Sequence, residues 1–174
     1  MRRLWVHEVL AIALVGMGWV VPGLADEHVP VPGISGRLDD QEMSWHVHRG
    51  AHTPSAVFST LLPGVHQIRI VGYLDEIPAR KGSIQLEFVV LERGVEQIKI
   101  IYFPFDPLHP RFSAGSDHGS VELRIESFEP GIDSARLKAS LRGELFYHQS
   151  PNTRPIPQRR SLLELDIDTE LARN

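Results

Sequence analysis

Apolar and polar residues alternate along most of the chain, and this alternation, rather than a helical repeat, sets the expected fold. Met43, Trp45 and Val47 alternate with Ser44, His46 and His48, the pattern of a strand with one face in a core and its histidines on the other. Ala56 to Leu62 and Gln67 to Tyr73 read as two further strands, separated by the turn signal Pro63-Gly64. The clearest hairpin lies between Ser83 and Phe103. Ile84, Leu86, Phe88 and Val90 share a face, the turn falls at Glu92-Arg93-Gly94, and Gln97 to Phe103 returns as a β-branched and aromatic strand. Val89, Leu91, Ile101 and Phe103 make the second face apolar too, which places this hairpin centrally with cover on both sides.

A turn-rich connection runs from Pro104 to Gly119. Beyond it, Val121, Leu123 and Ile125 alternate with Glu122, Arg124 and Glu126 in a strand with one wet face. Leu137, Ala139, Leu141, Gly143 and Leu145 form the apolar face of the next strand, and Leu163, Leu165 and Ile167 that of the last. The three prolines between Ser150 and Arg160 mark a mobile excursion between them. No window of useful length carries apolar residues at i, i+3, i+4 and i+7. The expectation is therefore all-β: an antiparallel β-sandwich or β-barrel of about eight strands, forming a single domain over residues 34–174. A length of 174 residues suits one domain.

Charge refines the closing pair. Glu164, Asp166, Asp168 and Glu170 share one face of the last strand, and Lys138, Arg142 and Glu144 stand outside on the strand before it. An antiparallel ladder with Arg142 opposite Asp166 and Lys138 opposite Glu170 would also set Leu141 on Ile167 and Leu145 on Leu163. Its one unfavourable pair is Glu144 with Glu164. The same pairing accounts for the acidic row better than calcium does, because the carboxylates are strung along a strand instead of gathered round a point.

The N-terminus carries a different signal. Arg2 and Arg3 precede an apolar run from Val9 to Val21, followed by Pro22-Gly23-Leu24-Ala25 and then Asp26-Glu27. A short basic region, an apolar stretch below the ~20 residues of a membrane helix, and small residues at the cut are the plan of a secretory signal peptide. Residues 1–25 are read as that signal, cleaved after Ala25, and 26–33 as an extended lead-in. The expected location is periplasmic or extracellular. Absence of cysteine removes thiol nucleophiles, thiolate metal sites and disulfides together. A formal net charge of -4 with scattered basic residues lacks the footprint of a nucleic-acid binder.

Ile34-Ser35-Gly36-Arg37-Leu38-Asp39-Asp40, followed by Met43-Ser44-Trp45, resembles the start of small exported bacterial β domains of unknown function. Gly119-Ser120-Val121-Glu122-Leu123 and the strand from Arg136 to Leu145 are similar to their closing half. Asp40 stands where such domains tend to have glycine. The resemblance implies a sandwich or barrel and no particular activity.

Three kinds of chemistry are in view. His46, His48 and His52 form an HxHxxxH run; histidines at i and i+2 on a strand point the same way and suit Zn²⁺ or Cu²⁺, with His66, His109 or His118 as other third ligands. A solvated strand face accommodates the same residues without any ion. Gly115-Ser116-Asp117-His118-Gly119 holds the residue types of a hydrolase triad, but neighbours on one short loop point apart, and a turn explains them. A hydrolase using Ser116 would need Asp117 or Glu126 in a pocket beside His118 or His109. Finally, Phe103-Pro104-Phe105-Asp106-Pro107-Leu108-His109-Pro110 is held extended by proline, so Phe103, Phe105 and His109 could form a recognition edge, or the phenylalanines could plug one end of the core. The leading expectation is a noncatalytic exported domain that binds a small apolar ligand or a partner protein and needs no cofactor; a metal-binding protein comes second and a hydrolase third.

Overall fold

The computed structural model describes residues 30–49 and 54–174. The expected signal peptide and His52 lie outside the described residues. The protein is all-β, with ten strands and no helix among the described residues. The strands are β1 (Pro30–Leu38), β2 (Gln41–His48), β3 (Ala56–Leu62), β4 (Val65–Gly72), β5 (Ile84–Leu91), β6 (Gly94–Tyr102), β7 (Arg111–Ala114), β8 (Ser120–Pro130), β9 (Ser134–His148) and β10 (Ile156–Arg173). The count exceeds the expected eight by two. β7 is four residues long and hidden between Pro110 and Gly115, and β1 draws in Pro30–Gly33 from the expected lead-in. Those prolines pair with β2 alone, since pairing of β1 with β10 begins at Ile34, so their missing N–H groups break no second ladder.

All ten strands belong to one sheet of order β2-β1-β10-β3-β4-β5-β6-β7-β9-β8, and β9 also pairs with β10. β10 is the member that makes this possible. Its Leu163–Ile167 stretch pairs with β1, its far end pairs in parallel with Val57 and Phe58 of β3, and its other edge carries β9. The neighbours β3 to β6 follow in simple antiparallel succession.

Alternation decides what goes inside. Leu163, Leu165, Ile167 and Leu171 of β10 and Leu137, Leu141 and Leu145 of β9 are buried, as are Ile68, Ile70, Ile84, Leu86, Phe88 and Ile100. Full burial of each such side chain contributes about 1.5–3 kcal/mol. Trp45 is enclosed with its indole N–H donating to the Gly82 carbonyl at 2.8 Å, so its polar atom is satisfied inside the core. The expectation that the hairpin's second face is covered holds at Val89, Ile101 and Phe103, which are buried, but not at Leu91, which is half-buried at the turn.

The closing ladder is antiparallel as expected, but its register differs by two residues. Arg142 faces Glu164, Ser140 faces Asp166, Lys138 faces Asp168 and Leu141 faces Leu165. A shift of two keeps every side chain on its face while removing the Glu144–Glu164 repulsion: Glu144 stands opposite Leu162 and takes an ion pair from Arg160 at 2.6 Å. The outer rung Arg37, Glu164, Arg142, Glu122 then alternates in sign across β1, β10, β9 and β8. Each exposed pair contributes at most about 1 kcal/mol, so the rungs matter for register more than for stability.

Gly36 sits where β1 crosses β10. A Cβ there would meet the Glu164 carbonyl oxygen and come within 2.8 Å of Leu165 Cα, both backbone atoms that cannot swing away. Gly36→Ala should therefore destabilise the domain by about 2 kcal/mol or more, read as a lowered urea midpoint. An unchanged midpoint would mean that β1 does not lie on β10 as described.

Candidate functional site

A group of buried and half-buried titratable side chains gathers on the outer face of β7 and β9. Ala114 and Leu145 point into the core, so the alternate positions Arg111, Ser113, Phe146 and His148 point out. Pairing sets Arg111 opposite His148 and Ser113 opposite Phe146. The turn between β7 and β8, closed by the Gly115 N–H donating to the His118 carbonyl and by Gly119 in the left-handed region, folds His118 back over this face.

Three polar atoms converge there. Ser113 Oγ lies 2.9 Å from His118 Nε2, and His148 Nε2 lies 3.2 Å from the same nitrogen. The two imidazole planes are inclined at 68° with centroids 4.7 Å apart, and the 3.2 Å separation puts both Nε2 atoms on the near sides of their rings. Ser113 and His148 are only 3% and 8% exposed. Around them, Arg111 Nε and His109 Nδ1 are buried and find no hydrogen-bond partner among the described residues.

The electrostatics follow from this crowding. Burial, helped by the positive potential of His118, Arg111 and His109, pushes His148 down from the ordinary 6.5 to about 4. Burial also lowers His118; the Asp117 carboxylate opposes the shift, and Arg111 and Lys99 reinforce it. Both rings are therefore neutral at neutral pH. A hydrolytic relay does not result. In a Ser–His–acid triad the two ring nitrogens serve different partners, whereas here Ser113 and His148 compete for one nitrogen.

The residues singled out by sequence scatter. His46 and His48 leave the core face of β2 to Trp45 and Val47, as expected, but His48 is itself buried, with its ring 5.3 Å from that of Tyr73, and His46 is half-buried beside the same residue through a backbone bridge. Among the described residues no group of three or more His, Asp or Glu side chains is placed to hold a metal ion. Ser116 and Asp117 are exposed and bonded to each other at 3.4 Å, so they do not assemble with His118. Glu126 lines a separate groove with Lys138 and Asp168. Phe103 is buried, its backbone paired with Ser83, while Phe105 is half exposed and His109 half-buried. The acidic row of β10 pairs with basic residues of β9, but with partners other than those the sequence register indicates: Asp168, not Glu170, lies 3.3 Å from Lys138 and also 3.1 Å from Arg136, and Glu164, not Asp166, lies 3.5 Å from Arg142.

No protein-family model matches this chain, and neither a curated protein nor a solved structure matches it. The functional reading therefore rests on the fold and on these side chains.

Because the folded state holds His148 below its ordinary value, protonation favours the unfolded chain. The stabilising contribution is complete above about pH 6.5, falls as the pH drops towards 4, and changes no further below that. NMR titration with chelator present should give a His148 midpoint near pH 4, and urea unfolding should show stability declining over the same window in wild type and less so in His148→Ala. A midpoint at the ordinary 6.5 would contradict the buried pair.

Proposed function

We propose that this is an exported, noncatalytic β domain, released by cleavage after Ala25, whose strands roll into a barrel and which binds a partner protein through the loop around Phe105, Leu108 and His109. The barrel reading is supported by the pairing of β9 with both β7 and β10, which brings the strand order back to β10. Large side chains such as Trp45, Phe58 and Phe88 occupy the interior, which favours recognition at the surface over capture of an apolar ligand inside.

One observation carries the binding reading. Phe105 and Leu108 are 51% and 56% exposed on a loop that is nonetheless tied down: Arg80 donates to the Asp106 carbonyl at 3.1 Å, and the Lys81 N–H donates to the Asp106 carboxylate at 3.3 Å. The same tether joins this loop to the segment bearing Ile77, which is 79% exposed. Large apolar groups presented on a fixed loop lose little entropy on docking and serve as anchors at protein interfaces. His109 lies at the end of the loop, near enough to His148 for its charge to act there.

A photo-crosslinking residue placed at 105 or 108 of the exported protein should give one discrete protein adduct in intact cells, with the recovered chain beginning at Asp26. The same probe at exposed Ile132, on the β8–β9 turn, should give none. Phe105→Ser with Leu108→Ser should abolish binding of the captured protein while changing stability by no more than about 0.5 kcal/mol. Equal adducts at all three positions, or none at any, would defeat the proposal.

A further inference from the structure

We propose that His118 Nε2 and His148 Nε2, with Ser113 Oγ as a weaker third donor, form a binding site for a divalent transition metal of the Zn²⁺ or Cu²⁺ type on the outer face of β7 and β9. This site is distinct from the strand pair His46 and His48 and does not depend on the partner-binding reading.

The argument is one of hydrogen-bond supply. Ser113 Oγ and His148 Nε2 both approach the single nitrogen His118 Nε2, at 2.9 and 3.2 Å. A neutral imidazole nitrogen is either a donor or an acceptor. If His118 Nε2 accepts from the serine, it has no second lone pair for His148; if it donates to His148, the serine hydroxyl loses its acceptor. Among the described residues no further side-chain hydrogen bond relieves the conflict, and although His118 is only half-buried, an unmet polar group on buried Ser113 or His148 is costly.

A metal ion resolves it. With ligand distances of about 2.0–2.1 Å, neighbouring ligands lie roughly 3.3 Å apart round a tetrahedral ion and roughly 2.9 Å apart round an octahedral one. The two separations found here, 2.9 and 3.2 Å, fall in that interval. Imidazole nitrogen suits Zn²⁺, Cu²⁺ and Ni²⁺, and the rigid β7–β9 pairing fixes Ser113 and His148 before any ion arrives. Arg111, opposite His148, and Lys99, near His118, disfavour a bare dication. They fit an ion that also carries an anion from solvent.

The test uses the exported chain, purified without a histidine tag and freed of metal by chelator, and titrated calorimetrically with ZnCl₂ and separately with CuCl₂. One equivalent should bind. His118→Ala and His148→Ala should each weaken binding at least tenfold, Ser113→Ala should weaken it less, and His46→Ala should leave it unchanged. Co²⁺ substitution gives an independent readout, since nitrogen ligation should produce visible absorption that is lost in His148→Ala. Circular dichroism of each variant confirms the fold, and His148→Asn serves if the alanine variant does not fold. No uptake of either ion at 100-fold excess over protein, or uptake lost in His46→Ala but kept in both His118→Ala and His148→Ala, would overturn the proposal.

Discussion

The long antiparallel ladder between β9 and β10 is the constraint on which the rest of the molecule depends. It runs without interruption from Arg160 opposite Phe146 to Ala172 opposite Ser134. Along it, one face contributes leucine, isoleucine and alanine to the core while the other sets a basic row against an acidic one. Because β10 is longer than any neighbour, its remaining edge holds β1 and, further on, β3. Because β9 is also long, its end beyond Leu145 is left to pair with β7, which positions Arg111 and Ser113 beside His148. Core, sheet order and polar cluster are thus consequences of one pairing.

Much of the fold was legible because burial on one face imposes period two. The alternation of Leu163, Leu165 and Ile167 with acidic residues, and of Leu137, Ala139, Leu141 and Leu145 with Lys138, Ser140, Arg142 and Glu144, announced two strands and their inner faces. Their exact offset was less visible, since two rows of like-charged residues remain complementary after a slip of two and only the position of Glu144 distinguishes the alternatives. β7 was invisible for a different reason: four residues between proline and glycine carry too little pattern to register, and their strand state comes from neighbours on both sides.

The polar cluster was harder still. In the sequence His118 reads as a third ligand for the His46–His48 pair of β2, and neither Ser113 nor His148 carries a local signal of its own. The thirty positions separating His118 from His148 contain all of β8 and nearly all of β9, and nothing local records that the chain returns. The only available hint was that alternation on β9 puts Tyr147 inside with Leu145 and hence His148 outside, where its burial by a folded-back turn depends on Gly115 and Gly119. Phe103 and Phe105 show the opposite case. Alternation cannot place them, since they flank a proline, and the structure separates them, burying the first in the core and leaving the second on the surface.

The most direct test of the β9–β10 register is disulfide formation, which is clean in a chain with no cysteine of its own. Directly opposed residues have Cα atoms about 4.5–5.5 Å apart, within bridging range, while positions two residues off lie about 7–8 Å apart and outside it. Mild oxidation of Arg142→Cys with Glu164→Cys should give an intramolecular disulfide in the folded protein, and Arg142→Cys with Asp166→Cys should stay reduced under the same conditions. The reverse outcome would contradict the ladder, and with it the sheet order and the cluster that the ladder positions.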